Sequence, residues 1–107
     1  LAYICDKVVG LRVFDDENEI PNRSVQDIGG SILLVSQFTL CADARKGKRP
    51  SYIKAARPEQ AIPLYEAAIS RIGQSVPLQC GVFQANMQVR LVNDGPHTIL
   101  LDSKKLF

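Results

Sequence analysis

Apolar residues recur at helical spacing at the start of the chain: Leu1, Ile4, Cys5, Val8 and Leu11. That period predicts an amphipathic helix over Leu1–Phe14. The acidic stretch Asp15-Asp16-Glu17-Asn18-Glu19 follows, and Pro21-Asn22 breaks the pattern. Ser24–Ile28 reads as a short strand, and Gly29-Gly30 is a turn dipeptide able to take positive φ. Ser31–Leu40, rich in β-branched and apolar residues and free of breakers, reads as a strand. A second helix is predicted over Pro58–Ile72, where Ala61, Leu64, Tyr65, Ala68, Ile69 and Ile72 form one stripe. Gly73 is placed to end it. Val76–Phe83, Met87–Asn93 and His97–Asp102 read as closing strands. Met87, Val89 and Leu91 alternate with Gln88 and Arg90, as on a half-buried strand. The predicted class is α+β: a mainly antiparallel sheet, or partial barrel, with two helices.

Length bounds this picture. The 107 residues make one domain, 1–107, with a thin core that a partner subunit would help to close. Apolar residues are 46% and charged residues 22%, ordinary globular values that exclude wholesale disorder. The longest apolar runs, Ile32–Val35 and Ile99–Leu101, are too short to span a bilayer, and no signal-peptide pattern opens the chain. Cys5, Cys41 and Cys80 are odd in number and fit no metal spacing, so they read as reduced thiols. With a single histidine, His97, there is little material for a zinc site or a Cys–His pair. The net charge of +2 is unremarkable, but between Asp43 and Arg57 six cations accompany one anion. A polyanion suits that segment, although many charge runs are simply solvated.

Two segments break local rules. In Ser36-Gln37-Phe38-Thr39-Leu40 an apolar strand ends in three polar side chains, which need partners if buried. This is either an ordinary strand end or the mouth of a ligand site. Asn93-Asp94-Gly95-Pro96 is composed of turn formers, and its glycine–proline bond permits a cis peptide. A cis bond there would set successive carbonyls outward on a rigid tip.

These segments, with ADARKGKRPSY and GVFQANMQVRLVNDGPHT in this order, resemble the D-aminoacyl-tRNA deacylases over nearly the whole chain. The resemblance implies hydrolysis of the ester joining a D-amino acid to the terminal adenosine of tRNA, with some action on glycyl-tRNA. It implies a cytoplasmic homodimer needing no metal or cofactor. Gly95-Pro96 would enter the partner's site and hold the substrate's α-amino group, leaving no room for an L side chain. Ser36, Gln37, Phe38 and Thr39 would line the pocket, and Ala85 and Met87 its adenosine end. Arg45, Lys46, Lys48 and Arg49 would meet RNA phosphates. Family members carry further N-terminal strands before the first helix, which this chain lacks. They commonly have Val at the position of His97 and Tyr at that of Cys41.

The residues themselves offer no triad. An aminoacyl ester is already activated, so positioned water and oxyanion donors serve better than a strong base. Two mechanisms stay open: water aided by the terminal ribose 2′-hydroxyl, which is preferred, and Thr39 as covalent nucleophile. The rivals to an enzyme are a nucleic-acid-binding module without turnover and a structural dimerisation domain.

Overall fold

The structure is a computed structural model and describes residues 1–107. Helix α1 spans Ala2–Gly10. It stops short of the predicted Phe14 because Leu11 turns extended and closes the end through its N–H to the Lys7 carbonyl. Strands β1 (Phe14–Asp15) and β2 (Pro21–Arg23) then pair antiparallel across the acidic stretch. Asp16 organises that loop, accepting from the Asn18 and Ile20 N–H groups at 2.8 and 3.1 Å.

Ser24–Ile28 is a turn, not the strand its composition suggests. Ser24 donates its N–H to Asp27, and the Asp27 N–H donates back to the Ser24 hydroxyl, at 2.9 and 3.1 Å. This local reciprocal bonding displaces a ladder. Strand β3 is Ile32–Leu34, three of the ten residues of the predicted Ser31–Leu40 strand. Helix α2 runs Pro58–Gly73, one residue past the predicted end, with Pro58 in its first turn and Pro63 within it. Strand β4, Leu78–Cys80, lies parallel to β3, with Ile32 opposite Leu78 and Leu34 opposite Cys80.

The α+β class with two helices holds. One ladder is antiparallel and one parallel, and no barrel closes. Cys5 of α1, Val25, Ile72 of α2 and Val76 form the buried core, with Val9, Ile32, Ala68 and Leu78 packed against it. The core thus sits where both helices meet the foot of the β3–β4 pair.

The predicted strands Met87–Asn93 and His97–Asp102 are absent as ladders. No backbone-to-backbone hydrogen bond is made between Asn86 and Leu101. Period-2 alternation marks a face suited to burial, but a strand also needs a neighbour about 4.8 Å away. No strand pairs with this segment, and Val89, Leu91, Val92, Ile99 and Leu100 are exposed. The radius of gyration, 15.6 Å, accordingly exceeds the roughly 13 Å of a compact domain of this length. No helix is long and apolar enough to cross a membrane.

Candidate active site

Parallel β3 and β4 end together, and Tyr65 of α2 joins their ends. Its hydroxyl lies 3.1 Å from the Leu34 carbonyl and 2.9 Å from the Gly81 carbonyl, the two acceptors sharing one proton. Burial pushes this phenol's pKa up, and the neighbouring Cys80 adds to the shift. The Tyr65 ring also tilts against Phe83, with centroids 5.7 Å apart. The helix therefore fixes the backbone at Leu34, two residues before Ser36. Sequence periodicity places Tyr65 only in an apolar stripe. The available signal was its polar tip, which must find a partner once the ring is buried.

Beyond this clamp the chain leaves the sheet through Val35, Ser36 and Gln37 and enters a 3-10 turn, Phe38–Cys41. The N–H groups of Phe38 and Thr39 open that turn and have no acceptor within it. Gln37 Nε2 donates to Thr39 Oγ1 at 2.5 Å. An amide N–H cannot remove a proton, so this contact positions the hydroxyl without activating it. Phe38 turns its ring outward against Tyr52, edge to face, with centroids 5.1 Å apart.

Met87 reaches the root of the same segment across Gly81. A Cβ at Gly81 would lie 2.7 Å from the Met87 sulfur and 3.6 Å from Val35 Cγ1. The missing side chain thus lets Met87 close over the strand ends beside Ser36. Ala85 is exposed in the preceding turn, its N–H bonded to the Val82 carbonyl at 3.2 Å.

The Asn93–Thr98 tip is exposed and knit by one side chain. Asn93 Oδ1 accepts from the His97 N–H at 3.0 Å, and Asn93 Nδ2 donates to the Thr98 hydroxyl at 3.1 Å. The Gly95–Pro96 peptide is cis, and Gly95 has φ +146°, a conformation open chiefly to glycine. Every side-chain hydrogen bond of the tip stays within it, so none joins Gly95-Pro96 to Ser36–Thr39 in one chain.

In the basic segment, Arg45 grips Asp43 through Nε and Nη2 at 3.0 and 2.7 Å. That fork, ahead of the Arg45 N–H, holds the Asp43 carboxyl below its ordinary range and raises the Arg45 pKa. Asp43 and Ser51 exchange backbone hydrogen bonds at 2.7 and 2.8 Å, closing residues 44–50 into a loop. Lys46, Lys48 and Arg49 stand exposed on it without an ion-pair partner. Two surface clefts, of about 700 and 480 Å³, lie elsewhere: one beside Tyr3, Lys7 and Arg12, the other beside Ile69 and Pro77. Neither is lined by Ser36–Thr39 or Gly95-Pro96.

Residues 1–102 match the family described as D-Tyr-tRNA(Tyr) deacylase. A D-aminoacyl-tRNA deacylase of Koribacter versatilis is 59% identical over 106 residues, which are 98% of this chain and 71% of the relative. One from Desulfitobacterium hafniense is 56% identical over 108 residues, covering 100% of this chain and 72% of the relative. Among solved structures, the c-Myc DNA unwinding element binding protein superposes with a TM-score of 0.86 at 38% identity. That match covers 95% of this chain and 70% of the other.

Proposed function

The chain belongs to the D-Tyr-tRNA(Tyr) deacylase family, and from that premise we infer how its residues divide the work of hydrolysis. It is a hydrolase that cleaves the ester of D-aminoacyl-tRNA, a proofreading reaction of translation. The observation that carries this is identity of 56–59% along essentially the whole chain.

In the reading proposed for the site, the ester carbonyl sits over the 3-10 turn. The free N–H groups of Phe38 and Thr39 receive the developing oxyanion. Water, positioned by the terminal ribose 2′-hydroxyl, adds to the carbonyl carbon. The bond to the ribose oxygen then breaks, that oxygen leaves with a proton, and the free amino acid departs. Ser36 and Gln37 line the pocket, and Ala85 and Met87 take its adenosine end. Met87's closure over Gly81 beside Val35 supports that placement. Gly95-Pro96 comes from a second copy and recognises the α-amino group. Gly95 carries no side chain, so its backbone approaches the substrate's α-carbon closely. An L side chain would point into the motif and is excluded, whereas hydrogen and a D side chain are accepted. Glycyl-tRNA is a substrate on this account. The exposed tip and a core of few buried residues support a homodimer.

Mixed dimers test this division. Gly95→Val and Gln37→Ala are each expected to lose activity. Co-expressed, they form heterodimers with one doubly damaged site and one intact site, recovering up to about a quarter of wild-type activity. No recovery, with heterodimers present, contradicts the exchange of tips.

The basic loop, and the likeness to a protein named for binding a DNA unwinding element, favour a second reading: a nucleic-acid-binding module without turnover. Salt-sensitive tRNA binding without hydrolysis would establish it.

A further inference from the structure

We propose that the edge-to-face pair of Phe38 and Tyr52, with the cations of the loop beside it, is a stacking ledge for the single-stranded nucleotides that precede the terminal adenosine of the substrate. The inference rests on the deacylase reading, because it takes the acyl group to lie at the Phe38–Thr39 N–H groups.

Three observations meet at this place. Phe38 is 60% exposed and Tyr52 38% exposed, although both are large aromatics with a packed partner in each other. The paired Asp43 and Ser51 fix the base of the 44–50 loop directly beside Tyr52. Arg45 is occupied by Asp43, and so acts as a brace for the loop, whereas Lys46, Lys48 and Arg49 have no carboxylate partner. Exposed aromatic faces beside unpaired cations are what a single strand of nucleic acid uses: bases stack on the rings while phosphates meet the charges. Phe38 belongs to both surfaces. Its N–H opens the turn that receives the ester, and its ring points outward to Tyr52. Base stacking on such rings is sequence-tolerant, which suits an element present on every tRNA.

The test is fluorescence anisotropy of the full chain with a labelled single-stranded RNA pentamer ending in CCA, measured across a salt series. Tyr52→Phe, which keeps the ring, is expected to bind within about twofold of wild type, and Tyr52→Leu at least about fivefold more weakly with an unaltered salt slope. Lys48→Gln is expected to flatten the log–log salt slope by about 0.7. Wild-type binding by Tyr52→Leu, or equal losses in the Phe and Leu variants, overturns the ledge. Hydrolysis of D-aminoacyl-tRNA by the same wild-type preparation separates the two claims. The expected ring and salt pattern without hydrolysis supports the ledge and rejects the deacylase reading. Hydrolysis without the ring pattern does the reverse.

Discussion

The hydroxyl of Tyr65 lies 3.1 Å from the carbonyl oxygen of Leu34, so helix α2 holds the strand from which the candidate catalytic segment departs. The Gly81 carbonyl, 2.9 Å away, shares the same proton. Tyr65→Phe keeps the ring against Phe83 and removes only the oxygen. It is expected to lower stability by about 1–2 kcal/mol, because partly buried carbonyls lose a donor. It is also expected to lower kcat more than it raises KM, since the turn at Phe38–Cys41 is displaced relative to bound ester. Urea denaturation and steady-state kinetics check both. An unchanged unfolding midpoint would show that the bridge holds nothing.

The hydroxyl of Thr39 accepts from the Gln37 amide, a group that cannot take its proton. Thr39→Val preserves shape and removes the oxygen. If backbone N–H groups and water carry the reaction, kcat falls by no more than about tenfold. Loss of a covalent nucleophile costs on the order of 10⁶. A loss of that size, or an acyl group trapped on Thr39, rejects the water mechanism.

Gly95 stands at φ +146°, and a Cβ added there would run into the His97 ring. Gly95→Ala strains an exposed tip that contributes nothing to the core, at a cost of about 1–3 kcal/mol confined to the tip. Deacylation is expected to fall at least about tenfold while far-UV circular dichroism and the unfolding midpoint stay close to wild type. Full activity in this variant would remove Gly95 from the site.

Three carboxyls are held below the ordinary value of 3.8: Asp16 chiefly by the Ile20 N–H, Asp27 by the Ser24 N–H, and Asp43 by the Arg45 side chain. Because the folded values are depressed, their stabilisation is fully present above the unfolded value. It is lost as pH falls through the folded values. Urea midpoints measured from about pH 6 down to about pH 2.5 are expected to hold steady and then fall below 3.8. Asp27→Asn, which still accepts from Ser24, is expected to show a smaller fall. Midpoints that rise on acidification contradict the assignment.

Local chemistry was legible in the sequence, and partnership was not. Helix α2 was readable because its stripe and Pro58 agree, and its predicted and observed ends differ by one residue. Ser24–Ile28 misled because the apolar Val25 and Ile28 hid a Ser24–Asp27 reciprocal bond, which no periodicity reports. Met87–Asn93 misled in the opposite way: its alternation is genuine, yet no neighbouring strand hydrogen-bonds to it. At the site, Ser36–Thr39 and Gly95-Pro96 stood out as breaches of local rules. The parts beside the first of these, Tyr65 and Gly81, looked like an ordinary core residue and an ordinary turn residue. Tyr65 acts through Leu34 and Gly81, 31 and 16 positions away, and Gly81 through Met87 and Val35, contacts that no local pattern reports.

The most direct measurement is hydrolysis of D-tyrosyl-, L-tyrosyl- and glycyl-tRNA by the wild-type chain under identical conditions, followed as release of the free amino acid. Selection by exclusion at Gly95-Pro96 predicts that the D-tyrosyl and glycyl esters are cleaved and the L-tyrosyl ester is spared. Cleavage of L-tyrosyl-tRNA as fast as the D form, or of none of the three, would contradict it.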